Sequence, residues 1–102
     1  MTDNKENKPL NLEVQLDEIT ALGQYVNMMV VQHSPTEFVL DFIFVPPGQP
    51  RARVRSRIIL APEHARSLLK VLAENIGIFE KRFGEIKLPE HPGGLPTPHL
   101  VQ

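Results

Sequence analysis

A long helical pattern near the C-terminal end of the sequence decides what the rest of the chain has to supply. Pro62 suits a first helical position, and Gly84 is placed to end the helix in a left-handed conformation. Apolar residues between them recur at steps of three and four, namely Ala65, Leu68, Leu69, Leu72, Ile76, Phe79 and Phe83. The spacing predicts a helix of about five turns with one apolar stripe, which needs an apolar surface to pack against.

Four extended segments precede this helix and can supply that surface. The first alternates strictly between apolar and polar residues, the second is almost continuously apolar, and the third is rich in aromatic and branched residues. The fourth carries arginine at every second position. The turn signals HSPT and PPGQP separate the last three segments. We therefore predict an α+β fold in which a four-stranded antiparallel β-meander is followed by one long C-terminal helix that packs on one face of the sheet. The protein is expected to be oligomeric. The four strands are predicted at residues 10–17, 24–32, 37–45 and 51–60.

The domain boundaries follow from composition. A chain of 102 residues fits one domain. Residues 1–9 are polar and end in a proline, which predicts a flexible N-terminal arm. Prolines and glycines crowd residues 87–102, which predicts a flexible C-terminal tail. The single α+β domain is therefore expected to span residues 10–86.

Composition also limits the compartment and the class of partner. The chain has no cysteine, which fits a reducing compartment. It shows no secretory signal and no apolar run near the about 20 residues of a membrane span. A formal net charge of -1 argues against binding nucleic acid through bulk positive charge. We predict a cytoplasmic protein without membrane contact.

Side-chain alternation divides the predicted sheet into two faces. We expect the two turns to pair Gln32 with Glu37 and Val45 with Arg51. One face is then strongly apolar and is expected to receive the helix. The core predicted from this register consists of Leu40, Phe42, Val54, Ile58, Leu69, Leu72, Ile76 and Phe79.

The second face combines apolar residues with a row of arginines at every second position. The register places Asp41 across from Arg55. One helix cannot cover both sides of a sheet, so we expect a partner to cover this face, most simply a second copy. The alternative is a solvated basic face whose ion pair contributes about 0–1 kcal/mol. The candidate binding or assembly face comprises Arg51, Arg53, Arg55, Arg57, Asp41, Val39, Ile43, Met28 and Val30.

Chemical motifs do not point to catalysis. The sequence has no glycine-rich phosphate loop and no nucleophile elbow, and its four histidines lack the spacing of metal ligands. We predict that the protein is not an enzyme and uses no cofactor or metal. A nucleic-acid-binding protein that uses the face of Arg51, Arg53, Arg55 and Arg57 is the alternative function.

Several motifs resemble a small, mostly bacterial family of unknown function, DUF3467. They are SPTEFVLDF, SRIILAPEHARSLLKVLAENI and EKRFGEI, within roughly residues 12–86. That resemblance implies no activity and no functional residues. The order of elements is also similar to the export chaperone SecB, in which four antiparallel strands precede a long helix and oligomers hold unfolded chains. A likeness of architecture alone does not imply that function.

These features together predict a non-enzymatic, homo-oligomeric protein-binding or scaffold domain. The expected partners are a second copy of the chain and another protein. A SecB-like holder of unfolded chains is the more specific version of this prediction.

Overall fold

The computed structural model describes residues 11–89 of the chain. The elements in chain order are α1 (Glu18–Ala21), β1 (Met28–His33), β2 (Phe38–Phe44), β3 (Arg53–Leu60) and α2 (Pro62–Phe83). The three strands form one antiparallel sheet in the order β1-β2-β3. The fold is therefore α+β, with a three-stranded sheet and one long C-terminal helix. The predicted arm and most of the predicted tail lie outside the described residues.

The prediction of a fourth strand at residues 10–17 is wrong. Residues 11–17 pair with no strand of the described chain, and Leu12, Val14 and Leu16 are 79%, 84% and 68% exposed. Alternation makes a segment suitable for a sheet, but a strand also needs a hydrogen-bonded neighbour. Asp17 ends the segment by capping α1, because its carboxylate accepts hydrogen bonds from the N–H groups of Ile19 and Thr20, both at 3.1 Å.

The turn between β1 and β2 closes one residue further along on each strand than predicted. The N–H of Ser34 donates to the carbonyl of Glu37 at 2.9 Å, and the last pair before the turn is His33 with Phe38. The predicted pairing of Gln32 with Glu37 is therefore wrong. The faces survive this error, because the register moves by an even number of positions and leaves the alternation unchanged.

A β-bulge separates the two halves of the β2–β3 pairing. Asp41 pairs with Arg57, whereas beyond the shift between Phe42 and Ile43 it is Val54 that pairs with Ile43. The strand β3 therefore contains one extra residue here, which is Arg55. The predicted placement of Arg55 across from Asp41 is wrong, because this extra residue was not expected and the proline-rich loop is longer than assumed, so that β3 begins only at Arg53.

The Asn27 side chain extends the edge of the sheet beyond β1. Its Oδ1 accepts a hydrogen bond from the N–H of Val45 at 2.8 Å, and its Nδ2 donates to the carbonyl of Val45 at 3.0 Å. The side-chain amide thus makes the two hydrogen bonds that the backbone of a neighbouring strand would make to Val45, next to the start of the proline-rich loop. It satisfies both polar groups of Val45, which explains why that residue does not need to pair with Arg51.

The long helix begins and ends as predicted, at Pro62 and Phe83. Gly84 has a φ of 102°, which confirms the need for glycine, although its ψ of 170° is extended rather than left-handed helical. Glu80 completes the end, because its carbonyl accepts from the N–H of Gly84 at 3.0 Å and its Oε2 accepts from the N–H of Ile86 at 2.9 Å.

The core is confined to the central strand. Leu40 and Ile43 are the buried apolar residues of the described chain, and α2 has no buried residue. The prediction that the helix packs across one face of the sheet is therefore wrong, because α2 approaches the sheet mainly at β3, the strand that leads into it. Of the predicted core, Leu40 is buried and Phe42 half-buried, whereas exposure is high for Val54, Ile58, Leu69, Leu72, Ile76 and Phe79.

Candidate assembly surface

The arginine row meets one carboxylate, and it does so through Arg57. The Nε of Arg57 donates to Oδ1 of Asp41 at 2.7 Å, and the Nη2 of Arg57 donates to Oδ2 of Asp41 at 2.9 Å. This two-point geometry is the strongest arrangement available to an arginine and a carboxylate. Asp41 is 1% exposed, whereas the side chain of Arg57 is 50% exposed. The guanidinium therefore lies between the buried carboxylate and the solvent.

The pair shifts the titration of both groups. The hydrogen bonds from Arg57 hold the pKa of Asp41 below its ordinary value of 3.8, although loss of hydration opposes the shift. The same hydrogen bonds raise the pKa of Arg57. The lowered pKa keeps Asp41 charged, although the residue is covered. Its partners in the sheet are Val30 on β1 and Arg57 on β3. Its role in the described chain is to fix the register of β2 and β3.

The other three arginines line one depression together with Phe44. The guanidinium of Arg55 lies 5.1 Å from the centroid of Phe44, within reach of a cation–π interaction. Arg53 pairs with Phe44 in the ladder, and Arg51 lies in the preceding loop. A shallow depression is lined by Phe44, Pro46, Arg51, Ala52, Arg53 and Arg55. The bulge therefore divides the arginine row in two, and the prediction of one continuous stripe does not hold.

The apolar members of the predicted face surround the Asp41 site. Ile43 is 3% exposed, while Met28, Val30 and Val39 are half-buried. Val30 pairs with Asp41, and Met28 pairs with Ile43. The structure therefore brings these residues together as predicted. Within a single chain these four apolar residues are better covered than Ile58, which lies on the other face of the sheet and is 41% exposed.

Two further regions of exposed apolar side chains were not predicted from the sequence. One is the stripe of α2, which was assigned to the core, and the other is the segment that precedes β1. Ile19 and Leu22 on that segment are 80% and 84% exposed. A groove runs between the segment and the sheet, lined by Ile19, Thr20, Gly23, Gln24, Val26, Phe42, Ser56 and Ile58. The apolar pattern was visible in the sequence, but nothing in it said that the chain would leave these residues uncovered.

Residues 11–89 lack both a candidate metal site and a candidate membrane span. This part of the chain has no group of three or more side chains able to hold a metal ion. No helix in it is long and apolar enough to cross a membrane.

Comparison with known proteins decides the family. The model of a family described as a protein of unknown function, DUF3467, matches residues 1–88. The chain belongs to the DUF3467 family. The predicted resemblance is therefore confirmed, and the match extends beyond the motifs on which it was based. No curated protein and no solved structure matches this DUF3467 chain, so the likeness to SecB has no support, and the three-stranded sheet removes the shared element order on which it was based.

Proposed function

We propose that this DUF3467 chain is a non-enzymatic, self-assembling protein-binding domain whose folded state includes a second copy. The observation that carries the proposal is the exposure of its apolar side chains. Two apolar residues of the described chain are buried, whereas twenty-one large apolar ones are exposed, from Leu12 to Leu88. Scattered single exposures are ordinary on a monomer, but contiguous ones on a helix stripe and a sheet face indicate an interface.

The energetics of folding also favour a partner. In proteins most of the stability of a helix comes from tertiary packing of its amphipathic face, and the apolar stripe of α2 has no such packing within the described chain. A three-stranded sheet with one covered strand supplies little hydrophobic stabilisation against the conformational entropy of the chain. Burying the stripe of α2 and the exposed face of β3 would add the hydrophobic stabilisation that offsets the loss of conformational entropy. Symmetric self-association is the commonest way in which proteins achieve this.

Nucleic acid is less well supported as the partner. The bulge separates Arg57 from Arg51, Arg53 and Arg55, and Asp41 occupies the guanidinium of Arg57. The remaining arginines line one depression with Phe44, and Arg55 lies over its ring, so they do not form a row that could follow a phosphate backbone. A mobility shift that weakens steeply with salt is the result that favours nucleic acid over self-assembly.

Thermal unfolding at several protein concentrations tests the proposal. If a second copy covers the apolar stripe, the Tm rises with concentration, because mass action favours the folded assembly. A Tm that stays constant over a hundredfold range of concentration contradicts the proposal. Leu72→Asp on the exposed stripe is expected to lower the Tm and remove its concentration dependence. The matched control is Glu74→Asp on the same helix, which leaves the charge unchanged and is expected to have no such effect.

Binding of other proteins is the finer part of the proposal. Apolar surface that the assembly leaves open, such as the groove beside Ile19 and Phe42, can receive an extended apolar segment. The chaperone-like version predicts that the protein suppresses aggregation of an unrelated unfolded chain without nucleotide. Failure to suppress aggregation, in a protein that does self-assemble, limits the function to scaffold or partner-specific binding.

A further inference from the structure

The exposed stripe of α2 has the spacing of a coiled-coil seam. Apolar residues separated alternately by four and three positions occupy the inner sites of a heptad repeat, conventionally called a and d. The residues of this seam are Ala65, Leu69, Leu72, Ile76, Phe79 and Phe83. They continue over the length of a helix of 22 residues, which is about 33 Å long.

The seam is open in the single chain. Leu69 is 60% exposed, Leu72 53%, Phe79 46% and Phe83 69%. The described part of the sheet leaves these residues exposed, because α2 approaches it mainly at β3. The outer side of the helix is equally free, since a methyl group added at Gly77 would meet no atom within 4 Å. What covers the seam must therefore come from outside the described part of this chain.

The order of residue sizes along the seam suits a second helix that runs in the opposite direction. Centred between Leu72 and Ile76, an antiparallel pairing places Leu72 against Ile76 of the second copy and Leu69 against Phe79. Ala65, the smallest member, then meets Phe83, one of the two largest. Small residues face large ones at both ends, so the layers fill evenly, as a packed interface requires.

The charges beside the seam select the same direction. In an antiparallel pair each flank of the seam meets its own counterpart, which brings Arg66 against Glu80 of the second copy and, by symmetry, Glu80 against Arg66. In a parallel pair the flanks are crossed and bring Asn75 against Glu80 and Leu68 against Ala73, with no pair of opposite charges. Flanking charges are the residues that set partner and orientation in coiled coils.

We propose that two copies of the chain associate by antiparallel pairing of α2 along this seam, with Arg66 and Glu80 as the orienting ion pairs. This inference rests on the proposed self-assembly and specifies where it occurs. The backbone hydrogen bond between Ile86 and Oε2 of Glu80 holds the carboxylate at the end of the helix, where Arg66 of the second copy arrives.

Charge reversal tests the ion pairs. Arg66→Glu alone and Glu80→Arg alone are each expected to raise the dissociation constant about tenfold, because two symmetric pairs become repulsive. The double variant is expected to recover most of the affinity. Loss of the bond to Ile86 is common to Glu80→Arg and the double variant, so the recovery between them reports the ion pair itself. Lys70→Glu and Glu74→Arg, on the outer face of α2, serve as controls and are expected to leave the affinity unchanged.

Cross-linking tests the direction, and the absence of native cysteine makes single-cysteine variants clean. Antiparallel pairing places Ala73 beside Ala73 of the second copy, so Ala73→Cys is expected to give a covalent dimer with a short bifunctional maleimide. Ala65→Cys is expected to give none, because its two copies lie about 27 Å apart, at opposite ends of the seam. Both substitutions replace one small side chain by another, which keeps the fold intact.

The outcomes separate this inference from the proposed function. A cross-link at position 65 with none at position 73 overturns the antiparallel pairing in favour of a parallel one. An assembled protein that cross-links at neither position, or whose affinity ignores the charge reversals, overturns the seam and leaves self-assembly in place. A protein that remains a single chain at all concentrations overturns both.

Discussion

Asp41 on β2 and Arg57 on β3 stand directly across from each other and share two hydrogen bonds, at 2.7 and 2.9 Å. The carboxylate is covered while the guanidinium is half exposed. Asp41 is therefore committed to one arginine of the four, and this pair determines how the two strands align.

The pair predicts an acid dependence of stability. Because the pKa of Asp41 is lower in the folded chain than its ordinary value of 3.8, the stabilisation is present above that pH. It is lost as the pH falls below that value towards the folded pKa. We expect the free energy of unfolding, measured by urea titration, to fall more steeply below pH 4 in the native protein than in Asp41→Asn. Equal acid slopes contradict the role given to this pair.

Two arginine variants separate the halves of the divided row. Arg57→Ala leaves a covered carboxylate without its partner, and we expect a loss of about 1–3 kcal/mol in the free energy of unfolding. Arg55→Ala removes an exposed cation–π contact with Phe44, and we expect a loss of about 0.5–1 kcal/mol. Chemical denaturation measures both. The reverse order would show that Arg55, as the sequence first suggested, is the structural partner of the sheet.

The Asn27 amide is expected to be a structural residue of the sheet edge. Asn27→Ala leaves both polar groups of Val45 without their partner, so we expect a loss of about 1–2 kcal/mol in the free energy of unfolding. Asn75→Ala is the matched control. The amide of Asn75 bonds to the carbonyl of Val71 on the surface of the same helix, at 3.2 Å, and alanine has the higher helix propensity, so its removal is expected to cause no loss of stability.

Gly77 gives a stabilising prediction. It lies inside α2, and a methyl group there meets nothing within 4 Å. We expect Gly77→Ala to raise the free energy of unfolding by up to about 1 kcal/mol, because alanine has the higher helix propensity. Thermal and urea unfolding can measure the change. A decrease would place Gly77 against a neighbouring surface, on the side of the helix that the proposed pairing leaves to solvent.

The sequence was sufficient for features that depend on local physical chemistry. The helix from Pro62 to Phe83 and its end at Gly84 were predicted, because capping residues and apolar spacing act within the segment itself. The three strands around HSPT and PPGQP were predicted for the same reason. The close grouping of Met28, Val30, Val39 and Ile43 around Asp41 followed from side-chain alternation alone.

The features that the sequence did not predict depend on contacts between segments, which no local sequence pattern contains. The longer loop and the bulge at Arg55 each move the pairing by one residue, and together they exchange the arginine that meets Asp41. Residues 11–17 alternate as a strand does but have no neighbour in the described chain. The stripe of α2 is amphipathic whether it packs on its own sheet or on another chain. A sequence pattern shows that a surface must be covered, but it does not show by what.

Sedimentation velocity over a wide range of concentration tests the central claim most directly. Self-assembly predicts a particle of at least twice the 11.5 kDa chain mass, which dissociates on dilution as the chains unfold or separate. A well-folded particle of 11.5 kDa at every concentration would contradict it.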